Sequence, residues 1–207
     1  MQTPVAVAIA CLSLLLLAES ATGEGARPLI THELTVSHHR SIQVSADQVR
    51  NILKRMSRDV LGECGVAFKL VGEVEPFASR HTPHTISDKD DLEAVHREPA
   101  DVKVVKAIDF CKRDSVFEGE FIGCSWRPKR RPKTMIVTQV EAGLRPILWA
   151  HEFGHTRGLP HRRNPEALMT PCTLFGDNDQ LTSHECSCFR KDAGGCSGHY
   201  RQPLCNR

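Results

Sequence analysis

The chain has 207 residues, with 27 lysines and arginines against 25 aspartates and glutamates and a formal net charge of +2. So balanced a charge, with 5% aromatics and no RNA-binding signature, gives no ground for nucleic-acid binding. The 40% hydrophobic share is ordinary for a globular protein, and the length suits one domain, in two lobes about a cleft, that buries a core without a partner.

Val5 to Ala18 is an apolar run containing Leu14-Leu15-Leu16-Leu17. It is too short to cross a bilayer comfortably and has the length of a signal-peptide core, although no Lys or Arg precedes it. Ala18-Glu19-Ser20 and Ala21-Thr22-Gly23 both supply small residues for cleavage. The expected organisation is a signal peptide over 1–20, with cleavage as late as 23, then one domain over 21–207. Such a chain is secreted (periplasmic in a bacterium) and has no membrane attachment once the leader is gone.

Of nine cysteines, Cys11 leaves with the leader, and the remaining eight read as up to four disulfides in an exported protein. Cys64, Cys111 and Cys124 precede residue 151; Cys172, Cys186, Cys188, Cys196 and Cys205 follow it. If all pair within the chain, parity requires at least one bridge across that point. Cys111 and Cys124 flank one expected hairpin and are the best single pairing. Cys186-x-Cys188 lacks the partner motif of a zinc site, so disulfides are the better reading there.

Residues 33–44 read as a strand region. Ser45-Ala46-Asp47-Gln48 is a capping box, and Val49, Ile52, Leu53, Met56 and Val60 follow at helical spacing up to Gly62. Val66 to Val74 is the next expected strand. Residues 75–100, polar and holding Pro76, Pro83 and Pro99, read as a long surface excursion. Strands are expected over Asp101–Ile108, Phe117–Trp126 and Thr134–Gln139, with the basic stretch Arg127–Lys133 as a solvated connection. Leu144 to Arg157 should be a helix beginning close to Pro146 and closed by Gly158. Thr182-Ser183-His184-Glu185 is a second capping box that opens a short helix carrying Cys186 and Cys188.

Residues 151–161 are His-Glu-Phe-Gly-His-Thr-Arg-Gly-Leu-Pro-His. Four residues along a helix advance about 6 Å and turn about 40° past one revolution, so His151 and His155 share a face and can hold one ion. Catalytic zinc takes three protein ligands and keeps one position open, and a reversal at Gly158 can return His161 as the third. Neutral imidazoles leave the cation its full charge, which lowers the pKa of water it binds toward about 7. Glu152, beside them but not a ligand, can take a proton from that water and deliver it to a leaving amine. Two histidines alone at this spacing could be an amphipathic surface; Gly158 and His161 at fixed offsets make coincidence improbable.

This pattern resembles the metzincin zinc endopeptidases, whose H-E-x-x-H-x-x-G-x-x-H is followed by a turn with a methionine under the metal. Met169 in Ala167-Leu168-Met169-Thr170-Pro171 matches that methionine, and the turn is similar to the matrixin branch. Arg162 after His161 leaves the branch unassigned. The resemblance implies an α+β zincin fold: a twisted mixed sheet with a backing helix and an active-site helix over about 30–158, and a smaller lobe with few regular elements over about 159–207. It also implies that an edge strand near Phe117–Trp126 pairs with extended substrate, and that residues 162–182 shape a specificity pocket.

The function expected is zinc-dependent hydrolysis of peptide bonds in a protein or peptide substrate, with His151, His155 and His161 on one zinc ion, Glu152 as general base and acid, and Met169 as support. An exported, disulfide-rich binding or inhibitory module with a non-catalytic zinc is the alternative, though such a site has no need of Glu152. His81 and His84 with Asp88, Asp90 and Asp91 are weak candidates for a structural calcium or second zinc; a polar loop is the better reading. Oligomeric state and cleavage preference leave no mark in the sequence.

Overall fold

The computed structural model describes residues 28–111, 121–125, 134–171, 178–192 and 196. The leader, most of Phe117–Trp126, the basic stretch 127–133, Cys172, His199, Tyr200, Cys205 and residues 172–177 of the expected pocket segment lie outside them.

The elements in order are β1 (Ile30–Leu34), β2 (Val36–His38), α1 (Ala46–Arg55), β3 (Val66–Leu70), β4 (Glu75–Pro76), β5 (Thr85–Ile86), α2 (Lys89–Arg97), β6 (Val102–Val105), β7 (Ala107–Ile108), β8 (Gly123–Ser125), β9 (Met135–Thr138), α3 (Arg145–Thr156) and α4 (Ser183–Phe189). The fold is mixed α+β. The main sheet has the order β4-β2-β6-β9-β8; its pairings are parallel except β8, which runs antiparallel to β9 at one edge. β1 pairs with β3 in parallel from Ile30↔Val66 to Leu34↔Leu70. Only Thr35 separates β1 from β2. Its backbone N–H and hydroxyl both donate to Asp101 Oδ2, at 2.9 and 2.7 Å, and Asp101 N–H donates back to Thr35 Oγ1. That exchange occupies the side chains at the point where the chain leaves one pairing partner for the next.

β6 and β9 are buried at every position, as expected of strands covered on both faces. Because side chains alternate, the two faces serve different cores. Val102, Val104, Met135 and Val137 join the larger cluster with Leu53, Met56, Leu148 and Phe153 from the α1 and α3 side. Val105 and Ile136 join a second cluster with Leu92, Val95 and Ile108 from the α2 side.

Several expectations shift. The 75–100 stretch is not an unbroken loop; it contains β4, β5 and α2. Asp88 N-caps α2 by accepting from Asp91 N–H, but only Leu92 and Val95 on the helix are buried, too few to establish a period. The strand region begins at Ile30 and ends at His38 rather than spanning 33–44, and β3 stops at Leu70. The first helix is α-helical only to Arg55, then makes a π turn over Met56–Val60. Ser57 Oγ donates to Leu53 O at 2.7 Å and accepts from Phe68 N–H at 2.9 Å, so this side chain ties the π turn to β3. Both expected capping boxes are present, at Ser45/Gln48 and Thr182/Glu185.

Three disulfides lie among the described residues: Cys64–Cys186, Cys111–Cys124 and Cys188–Cys196. The first spans 122 residues and crosses residue 151, as parity requires if every cysteine is paired. Beside it, Arg190 donates to Cys64 O, Gly65 O and Pro28 O at 2.8–3.0 Å, and His32 Nε2–H donates to Phe189 O at 2.8 Å. α4 is thereby fastened to the start of β1 and to the turn before β3. No helix among the described residues is long and apolar enough to cross a membrane.

Candidate metal centre

α3 begins with Pro146 in its first turn, where a missing N–H costs nothing, and every residue from Pro146 to Thr156 is buried. A helix buried on all sides must find partners for its polar groups. His151 Nδ1–H donates to Leu168 O at 2.7 Å, and His155 Nδ1–H donates to Leu159 O at 2.9 Å. A carbonyl can only accept, so both protons are fixed on Nδ1 and each Nε2 presents a lone pair. Burial pushes the His151 pKa down to about 4, which keeps that ring neutral and fit to bind a cation near pH 7.

The ligand atoms of His151, His155 and His161 all lie within 4.8 Å of one another. His155 Nε2 and His161 Nε2 are 3.0 Å apart, and the three ring centroids are separated by 4.6–5.3 Å. With the His155 proton committed to Leu159, its lone pair faces the third ring at a distance that a shared cation satisfies. Three imidazole nitrogens gathered this closely could hold a metal ion.

Glycines set the remaining geometry. At Gly158, φ is +95°, and a Cβ there would also overlap the Cys196 carbonyl, so both the backbone and the space demand glycine. The chain then turns back over Leu159 and Pro160 to His161. At Gly154 a Cβ would stand 2.5 Å from Met169 Sδ and 3.1 Å from Phe189 Cζ. Met169, fully buried, therefore packs against α3 between the two ligand positions. At Gly123 on β8 a Cβ would overlap the Glu152 carboxylate. Glu152, 4% exposed, thus lies against the backbone of the antiparallel edge strand.

The structure brings together His151, His155 and His161, puts Glu152 next to His151 on α3, and places Met169 beneath the helix. The backbone carbonyls of Leu159 and Leu168 escape sequence reasoning because any residue can supply a carbonyl. Gly154 does carry a signal, since glycine inside a helix marks a close approach. His81 and His84 do not join Asp88, Asp90 and Asp91 in a cluster of ligand atoms among the described residues. Asp88 and Asp91 are engaged at the start of α2, where Asp91 Oδ2 accepts from Ser87 N–H, and His84 Nδ1 bonds Thr85 Oγ1. His184 comes near Cys188 and Cys196, but those sulfurs are joined to each other.

No family model matches the chain, and no curated protein matches it. The function rests on the site's own geometry.

Proposed function

We propose that this chain is a secreted, zinc-dependent endopeptidase of metzincin type, matrixin-like around Met169. The observation that carries this reading is the convergence of three histidines, two of them with protons held on Nδ1, beside a buried carboxylate that a purely structural site would not need. The three disulfides support an oxidising compartment. In this reading the two lobes meet near Gly158.

His151, His155 and His161 would hold the zinc ion, which when bound supplies positive charge that acidifies water and polarises a carbonyl. Leu168 O and Leu159 O hold the His151 and His155 rings in the tautomer and orientation that binding needs. The Glu152 carboxylate takes the proton of the attacking water and returns it to the leaving amine. Its bed against Gly123 limits its swing and places it beside β8. Among the described residues β8 has β9 on one side and is the last strand of the sheet, so in this reading an extended peptide adds to its outer edge. Ser125 and Gly123 would then lie alongside the substrate backbone.

The test is digestion of an unbiased peptide library by wild type and Glu152→Gln, with zinc content measured on both. Equal zinc with cleavage reduced by about 10²–10⁴ is expected. Cleavage that survives in Glu152→Gln removes this role from Glu152, and zinc bound by a wild type that cuts nothing favours the binding-module alternative.

A further inference from the structure

The residue after the third histidine is an arginine whose contacts reach three separate segments. Arg162 N–H donates to Met169 O at 2.7 Å. Its Nη2 donates to Gln180 O at 2.8 Å, and its Nε stands 3.4 Å from Glu185 Oε1. Glu185 is the N3 residue of α4; its other oxygen, Oε2, accepts from Thr182 N–H at 2.7 Å and from Thr182 Oγ1 at 2.9 Å. The glutamate side chain is 7% exposed and that of Arg162 31%. A carboxylate so buried is costly unless a cation and hydrogen bonds offset its desolvation. Here one oxygen closes the helix cap while the other faces the guanidinium.

The same contacts lead to the first ligand. Gln180 O accepts from Leu168 N–H at 3.1 Å as well as from Arg162, and Gln180 bridges Ala167 in parallel. Leu168 O is the acceptor that orients His151. Arg162 is therefore bonded on one side to the turn that holds His151 and is next in sequence to His161. α4, which supplies Glu185, is itself fixed by Cys64–Cys186 and Cys188–Cys196.

We infer that Arg162 and Glu185 are a positioning pair: through them α4 sets the place of His161 relative to His151 and so tunes the affinity of the three-histidine site for zinc. This rests on the proposal that those histidines bind zinc. Neither residue touches the reacting atoms. The pair acts on the ligand geometry, so its effect should appear in metal binding whether or not substrate is present.

The experiment compares zinc affinity, by chelator competition, and the visible spectrum after cobalt(II) substitution in the full mature chain. The variants are Glu185→Gln, Arg162→Met and both together. Glu185→Gln keeps an acceptor for the Thr182 cap and removes only the charge, so it isolates the pair from the fold of α4. Each single variant should bind zinc about 10–100-fold more weakly, the range typical of lost outer partners of metal ligands. The cobalt bands should shift, the zinc-free unfolding temperature of Glu185→Gln should stay close to wild type, and the double variant should lose little more than either single one. Variants that fold and bind zinc within twofold of wild type, with unchanged cobalt bands, overturn the inference and leave the metal site standing. A wild type that takes up no zinc overturns both.

Discussion

The two faces of the main sheet both bury polar groups, and they do so differently. On the α3 side, His151 and His155 each have one nitrogen tied to a backbone carbonyl and the other turned toward the third ring. On the α2 side, Lys103 is completely buried in the centre of β6, and its Nζ donates to Ala100 O at 2.7 Å. Burial alone pushes its pKa down to about 8, against the weaker pull of Asp101 and Glu98. Both groups are costly to bury. Only in the first case do the ligand atoms gather about a common point, and that convergence, rather than burial or a shifted pKa, marks a candidate binding site.

Substitutions should separate the two faces. The largest effect belongs to Glu152→Gln, with the loss of cleavage given above and no change in zinc content. Next is the pair Cys64→Ser/Cys186→Ser, which opens the 122-residue bridge behind α4 and should cost about 2–5 kcal/mol in denaturant unfolding while weakening zinc binding. Opening Cys111–Cys124, in the α2-side cluster, should cost stability by about 3 kcal/mol and leave zinc affinity unchanged by the same competition assay. If zinc affinity falls equally in both, the division between the faces is wrong. Gly158→Ala should destabilise by at least about 1–3 kcal/mol, because its positive φ adds to the overlap of a Cβ with the Cys196 carbonyl, and should lower zinc affinity with it.

Lys103→Met is the smallest and has the opposite sign: about 1 kcal/mol of added stability at pH 7, without effect on zinc. The pH dependence gives a second check. The folded-state pKa of about 8 lies below the 10.5 of an ordinary lysine, so between those values the unfolded chain binds more protons. Raising pH through that window therefore favours the folded state, and this rise should vanish in Lys103→Met urea titrations.

Where local chemistry dominates, the sequence was legible. Ser45 with Gln48 marks the start of α1, Pro146 and Gly158 bracket α3, and both capping boxes form as their residues dictate. The grouping of the three histidines followed from helical spacing and one glycine. What was not legible depends on partners far along the chain. α2 has only Leu92 and Val95 to bury, and it became a helix where they meet Ile86 and Ile108. The break at Thr35 needs Asp101, and the break in α1 follows Ser57 meeting Phe68. The acceptors of the histidine protons are backbone atoms, which side-chain identity does not encode.

The grip of α4 on β1 has a consequence for biogenesis. Arg190 and Phe189 contact Pro28 and His32, more than 150 positions upstream, and Cys186 must find Cys64. During synthesis these early residues emerge long before their partners exist. The nascent chain must therefore wait for α4 before its larger core can close, and until then Cys64 remains a thiol open to mispairing with Cys111 or Cys124. Oxidative maturation should be slow and dependent on disulfide exchange, with the Cys64–Cys186 bridge closing only after α4 has been made.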